Sequence, residues 1–427
     1  MLLSRVMHGS NQTYHSVTLW AQRASALFFG ASIPLLIGGR GLFFALIGLG
    51  GLFGLATILP RVKQTAADLG RSACSFTGIA FALLYVCWAI AALQTIDLQG
   101  SSLLFGLVVG VLLLGCLLHA GFANDPNGRE LAMRSMIVMA WVAALTIFVG
   151  AFIWLDIFET LRQQPVDNKD GVFLILKPYG AVVPILSIVI LWAGWRLGRL
   201  WCTAAVAYLP VGFMIVYLVE NKSAVLAYLG AGIATVLCWW FARLSSREAW
   251  VAGIVLVASI ILSLILVFSN LPEMPYTMSS HQTLPTWMVD AHRQIIWSFV
   301  LDAADERPWF GWGLGTSGRL PGAKEVIPGL TVEYVPSHPH NWVIQVAAES
   351  GWSAVGAMAL VIVLIARRII LLQNRRHPGA MAAGSVLGAF LASSLVNFSF
   401  FAAWWLLIFV LAMALPLSDA ESARSAS

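Results

Sequence analysis

Charge is what this sequence has least of. Only 11% of its 427 residues are Asp, Glu, Lys or Arg, and 59% are hydrophobic; a soluble domain carries roughly 25% charged residues. That poverty excludes a water-soluble globule and leaves a polytopic membrane protein. Strand-like alternation in roughly ten-residue units is also missing, which excludes a transmembrane barrel. Backbone groups in lipid must bond within their own segment, so the spans are expected to be helices. Paired cysteines are missing as well. Cys74, Cys87, Cys116, Cys202 and Cys238 all lie in apolar runs without a CxxC partner, against a disulfide framework or a thiolate metal site. There is no basic cluster: the net charge of +5 comes from cations spread at the ends of apolar runs. It is read as an orientation signal, not as a nucleic-acid surface. No cleavable leader is expected, because the first apolar run follows a polar start and continues into further spans.

What is present is a series of apolar runs, each near the roughly 20 residues a bilayer core requires. About twelve spans are predicted, over 17–37, 41–59, 73–95, 101–120, 132–154, 178–196, 200–219, 223–242, 249–269, 342–366, 380–397 and 400–417. Residues 1–427 are read as one integral membrane domain. Alternate loops are rich in cations: Arg61, Lys63 and Arg71; Arg129 and Arg134; Arg196 and Arg199; Arg243 and Arg247; Arg367, Arg368, Arg375 and Arg376. The positive-inside rule makes these cytoplasmic, together with both termini. The poorer loops then face outward: Arg40; Arg162, Lys169 and Lys177; Lys222; and the long stretch 270–341 after the ninth span. In a bacterium that side is the periplasm, which holds no ATP or nucleotide-sugar supply. Chemistry there must draw on a donor already energised and carried across, such as a lipid-diphosphate sugar.

The long outward loop holds His281, His292, His338 and His340 and ends in Ser337-His338-Pro339-His340-Asn341. It opens with prolines (Pro272, Pro275, Pro285) that disfavour helix. From Thr286 to Arg307, Trp287, Ile295, Trp297, Val300 and Leu301 alternate with Asp290, Arg293, Asp302 and Asp305, as in an amphipathic helix at a membrane surface. A glycine turn follows, Pro308-Trp309-Phe310-Gly311-Trp312-Gly313-Leu314-Gly315. It is not a dinucleotide fingerprint, which needs a strand before and a helix after. It reads either as a structural turn or as a cradle of backbone amides for phosphate or sugar.

Asn341 suits the N-cap of the helix beginning at Trp342, which sets His340 at the membrane surface. Three readings of the histidines stand side by side. They are a hydrogen-bonded interfacial pair, a metal site of His338 and His340 with His281 or His292, or a general base, since imidazole titrates near neutrality. Arg293, Lys222 and Arg319 favour the base. Arginine grips phosphate through a fork and lysine as a point charge, and a base with such cations is what transfer from a lipid diphosphate requires.

Arg293-x-x-x-Trp297, the run Pro308 to Gly315, and His338-Pro339-His340-Asn341 with Gly351 downstream resemble the O-antigen ligase and polysaccharide polymerase superfamily over about 290–356. The resemblance implies a metal-independent, inverting glycosyltransferase of the GT-C type that needs no cofactor. It would move a glycan from undecaprenyl diphosphate to lipid A-core, as ligases do, or to a second lipid-linked glycan, as polymerases do. His340 matches the family's essential histidine and Arg293 an arginine implicated in diphosphate binding. His338, Asn341, Gly311, Gly313, Gly315 and Gly351 belong to the supporting motif. Where many members carry arginine in a Ser-Arg-Gly/Ser-Ala context, this chain has Asn221-Lys222-Ser223-Ala224, which keeps the charge and loses the fork. Three residues after Gly351 stands Ala354, followed by Gly356, and both acceptor classes stay open. A lipid-linked glycan transporter or flippase is the alternative from another class. Internal repeats and polar groups at the bilayer midplane would mark it, whereas here the charges gather at helix ends and the histidines in one loop.

Overall fold

The computed structural model describes residues 18–59, 62–162, 168–274, 284–286 and 289–425. His281, Pro275 and Trp287 of the long loop lie outside them. The described residues are mainly helical, and their only β feature is an isolated bridge between Val326 and Glu333. The helices are α1 (18–32), α2 (Arg40–Ile58), α3 (Val62–Ala73), α4 (Phe76–Leu93), α5 (Leu98–Asn124), α6 (Pro126–Phe152), α7 (Asp156–Arg162) and α8 (Lys169–Ile175). They continue as α9 (Lys177–Leu197), α10 (Arg199–Leu218), α11 (Lys222–Phe241), α12 (Ser246–Phe268), α13 (Ala291–Glu306), α14 (Trp342–Asn374), α15 (Pro378–Ser394) and α16 (Ala403–Ser425).

Every expected span is occupied by a helix. Among the described residues α4, α5, α6, α9, α10, α11, α12 and α14 are long and apolar enough to cross a membrane. The other four are shorter in their apolar part: α1, α2, α15 at 17 residues and α16. The protein is thus a multi-pass membrane protein. The expected outward segment 156–177 forms α7 and α8 around residues 163–167.

α9 is the centre of the bundle, buried almost continuously from Tyr179 to Gly194. α11 and α15 pack beside it through small residues. Gly230 faces Gly388 and Ala392, Thr235 Oγ1 and Ser385 Oγ lie 2.6 Å apart, and Gly384 faces Cys238. A Cβ on Gly388 would fall 2.4 Å from the Gly230 carbonyl, so the backbones touch, as membrane helices do where burying apolar surface gives no advantage over lipid. As α11 runs forward α15 runs back, and this antiparallel register sets Lys222, at the start of α11, level with the end of α15. α12 is the opposite case: it has no buried residue, and its Trp250, Ile254, Ile261 and Ile265 point outward, a surface made for lipid.

The segment after α12 is a packed unit. Ile295, Trp297 and Val300 of α13 gather with Trp312, Val335 and the first half of α14 in a second apolar cluster. The amphipathic helix is there, beginning at Ala291 after its Asp290 cap, and its apolar face covers protein. α14 is two helices meeting at Gly351 (φ 79°, ψ 167°), which breaks the single rod the sequence suggested.

Candidate functional site

The connection between α15 and α16, residues 395–402, organises the site. His340 Nδ1 lies 2.9 Å from the carbonyl oxygen of Asn397, and Arg293 Nη1 donates to the neighbouring carbonyl, Val396, at 3.1 Å. The imidazole and the guanidinium are therefore held by consecutive peptide units. A carbonyl accepts only, so Nδ1 carries the proton and Nε2 keeps the lone pair.

The local sequence fixes this geometry. Asn341 caps α14 through Val343 N at 3.0 Å and Ile344 N at 3.3 Å. Trp297 Nε1 of α13 holds the Pro339 carbonyl at 2.8 Å. Between them His340 takes φ 56°, a left-handed conformation that costs a non-glycine residue about 1 kcal/mol or more and persists only where its surroundings impose it. His338 lies beside it with the rings tilted 48° and centroids 4.1 Å apart, and its Nδ1 is 2.8 Å from Ser337 Oγ.

Burial, and then the positive charge of Arg293, push the His340 imidazole below its usual range. Burial and the neighbouring His340 push His338 down to about 3. Both rings are neutral at neutral pH, and His340 Nε2 is free to take a proton. Half-buried Arg293 also pairs with the exposed Asp290 at 3.2 Å, a contact that water weakens.

The glycine turn has a different role from the amide cradle the sequence allowed. Gly311, Gly313 and Gly315 take φ of 65°, 112° and 73°, and the strap they form crosses α14 at its break. Trp312 N bonds the Ala348 carbonyl, Gly313 N the Glu349 carbonyl and Trp352 N the Pro308 carbonyl, at 2.9, 2.9 and 2.7 Å. The amides of Gly315 and Ser317 donate to the buried Glu349 carboxylate at 2.6 and 3.3 Å, and Ser317 Oγ at 2.5 Å. These amides are spent on the protein's own carbonyls and carboxylate, so the cradle holds Glu349 and not a phosphate. A Cβ on Gly351 would meet the Trp309 carbonyl at 2.1 Å; glycine is required there by contact and by φ alike. Gln345 extends the network, giving Nε2 to Glu349 Oε1 at 3.0 Å and to Ser399 Oγ at 2.7 Å while accepting from Phe400 N at 2.9 Å. The strap is thereby tied to the same connection that holds His340 and Arg293.

Other cations gather at this end. Arg40, at the start of α2, lies over the rings of Trp404 at 5.1 Å and Phe398 at 5.9 Å. Arg162 donates to the carbonyls of Ile37 at 2.8 Å and Ile175 at 2.6 Å. Asn221, which caps α11, donates to the Lys177 carbonyl at 2.8 Å, so Lys222 and Lys177 begin neighbouring helices. Arg319, a predicted donor-binding residue, is instead paired with Asp97. Asp97 is the cap of α5. His292 Nε2 lies 3.1 Å from the Glu333 carbonyl, and its charge acts on His340. Among the described residues no three His, Cys, Asp or Glu side chains converge as metal ligands would.

Residues 211–359 match the family model described as O-antigen ligase. The match takes in Lys222, Arg293, the glycine strap, His338, His340 and Gly351. Over that stretch the chain is similar to O-antigen ligases. It is 22% identical over 332 residues to a protein of Rickettsia conorii (strain Malish 7) named "Putative polysaccharide ligase", covering 76% of this chain and 75% of that one. A protein of the same name from Rickettsia prowazekii (strain Madrid E) is 27% identical over 132 residues, 30% of this chain and 32% of its own.

The residues foreseen from the sequence divide in three. His340, Arg293, His338 and Asn341 come together, and Lys222 arrives at the same end through the α11–α15 register. The glycines build the strap beneath them. Arg319 is elsewhere engaged. Missed were Arg40, Arg162 and the Val396-Asn397-Phe398 break. Each carried a faint signal: a lone arginine in a glycine-rich junction, an arginine in a short outward loop, and an Asn-Phe-Ser interruption between two apolar runs.

Proposed function

We propose that this protein is a membrane glycosyltransferase that moves a glycan from undecaprenyl diphosphate to an acceptor hydroxyl at the periplasmic face of a bacterial inner membrane, in the manner of an O-antigen ligase with lipid A-core as acceptor. The observation that carries the reading is the placement of His340 and Arg293 on the adjoining carbonyls of Asn397 and Val396. A proton acceptor and a fixed cation there can share one sugar diphosphate.

In the proposed step His340 Nε2 takes the acceptor hydroxyl proton. The oxygen lone pair forms a bond to the anomeric carbon from the face opposite the leaving group, and the bond from that carbon to the diphosphate oxygen breaks. Undecaprenyl diphosphate departs with the bonding pair, the configuration inverts, and His340 later releases its proton to water. Arg293 and Lys222 offset the charge developing on the leaving oxygen, so the step needs no metal and no cofactor. Transfer by His340→Ala should fall by about 10²-fold or more, the usual contribution of a positioned base, while the variant stays folded and membrane-inserted. Full activity in that variant would end this mechanism.

Ala354 and Gly356 keep a repeat-unit polymerase as the second reading, with the same chemistry and a second lipid-linked glycan as acceptor. Sugar analysis of a deletion strain separates the two. A missing ligase leaves long lipid-linked chains off the core; a missing polymerase leaves single repeats.

A further inference from the structure

The connection that holds the base has a third neighbour. Val396 carries Arg293 and Asn397 carries His340, and the next residue, Phe398, lies under the Arg40 guanidinium. Trp404, packed edge-on to Phe398 at 4.9 Å, forms the rest of Arg40's seat. Behind Arg40, Arg162 donates to the carbonyl of Ile37, three residues earlier in the chain, and the two positive charges act on one another. Arg40 also bears on His338.

Nothing among the described residues neutralises this pair. No described carboxylate lies within ion-pair distance of either guanidinium, whereas the buried Arg129 and the more exposed Arg196 are both paired with Asp419. Aromatic faces and carbonyls hold a guanidinium in place and leave its charge available. Two like charges set together cost free energy unless an anion joins them. Arginine forks match phosphate oxygens.

We propose that Arg40 and Arg162 form a second anion subsite beside His340, built for a phosphate or diphosphate group carried on a lipid-linked substrate, and separate from the grip of Arg293 and Lys222. The subsite deepens the transferase reading and rests on it for the identity of the substrate. Transfer from a lipid diphosphate to a membrane-anchored acceptor brings phosphate from two sources. An anion site on each flank of the base would orient both partners along one line of attack.

The test uses the full chain in phosphatidylcholine nanodiscs, with farnesyl diphosphate as the probe, farnesol as the uncharged control, and isothermal titration as the readout. An Arg293→Gln background isolates the second subsite. In that background the diphosphate should still bind, and adding Arg40→Gln should raise its Kd about tenfold, the loss of a charge-assisted contact. Arg40→Lys, which keeps the charge on the same seat, should recover part of the affinity. An unchanged Kd in the double variant overturns the proposal, as does equal binding of farnesol.

With a lipid-linked glycan donor, Arg40→Gln should then raise KM for one substrate more than it lowers kcat. A rise for the donor assigns the subsite to the donor, and a rise for the acceptor assigns it to a phosphorylated acceptor. Lost diphosphate binding in a protein that never transfers a glycan would keep the subsite and sink the transferase reading. Transfer with unaltered diphosphate binding would do the reverse.

Discussion

The two ends of the helix bundle handle arginine in opposite ways. α9 runs from Lys177 at one end to Arg196 at the other, and α16 from Trp404 to Asp419, so both ends share the same scaffold. At the Asp419 end the cations are neutralised. Asp419, 3% exposed, meets Arg129 at 3.1 Å and Arg196 at 2.7 Å, tying α16 to α6 and α9. At the Trp404 end Arg40, Arg162 and Arg293 rest on rings and carbonyls, and the only carboxylate partner described there is the exposed Asp290. Paired charge at one end serves packing. Charge held in place at the other, with no described carboxylate on Arg40 or Arg162, is what the proposed anion subsite would use.

The contrast can be broken by mutation, most severely at the Trp404 end. Arg293→Gln is expected to lower transfer by about tenfold to a hundredfold, since it removes a charge-assisted grip on the leaving group. Arg293→Lys should recover only part, because the fork is lost. Both variants should unfold in detergent at nearly the wild-type temperature. Asp419→Ala should do the reverse. Removing one partner of a buried ion pair costs about 3–5 kcal/mol, read as a lowered unfolding midpoint, and the diphosphate affinity of the surviving folded protein should be unchanged.

A smaller effect should follow from Gly351→Ala. The new Cβ meets the Trp309 carbonyl in a backbone conformation that disfavours side chains, so α14 and the strap must separate. Stability should fall by about 1–3 kcal/mol, and transfer should fall with it through Glu349, Gln345 and the 395–402 connection. A Gly351→Ala protein with wild-type activity would uncouple the strap from the site.

The gentlest probe is pH. His340 faces Arg293, Asp290, His292, His338 and the Asn397 carbonyl, and its pKa is lowered. The base therefore stays neutral as pH falls through the ordinary histidine range, and the acid limb of the pH–rate profile should lie below about 6.5. Stability follows the same sign. Below about 6.5 the unfolded chain binds protons that His338 and His340 in the folded chain refuse, so the folded state loses stability as pH falls toward their lowered pKa values. A profile whose acid limb lies above that range would assign the titration to another group.

Much of this was legible in the sequence. Low charge and long apolar runs gave the helical membrane class, and each expected span is a helix. His340, Asn341 and Arg293 could be named because the chemistry confines polar residues to one loop. What could not be read was how residues far apart in the chain close on one another. Asn397 merely ended the predicted span 380–397; its weight comes from the carbonyl it presents to His340, which no side-chain pattern records. Arg40 counted only as an orientation signal until Phe398 and Trp404 were seen to seat it. The glycine strap resembled a phosphate cradle because alternating glycines free the backbone amides in either case. Only the position of Glu349, on a different helix, decides what those amides hold.

The most direct test of the uncompensated end is a transfer assay with the purified chain in nanodiscs, an undecaprenyl-diphosphate-linked glycan as donor and a lipid acceptor, comparing wild type with His340→Ala. The account predicts that the wild type releases undecaprenyl diphosphate in step with an inverted glycosidic product, and that His340→Ala, equally folded, does neither. Equal product from both proteins would contradict it.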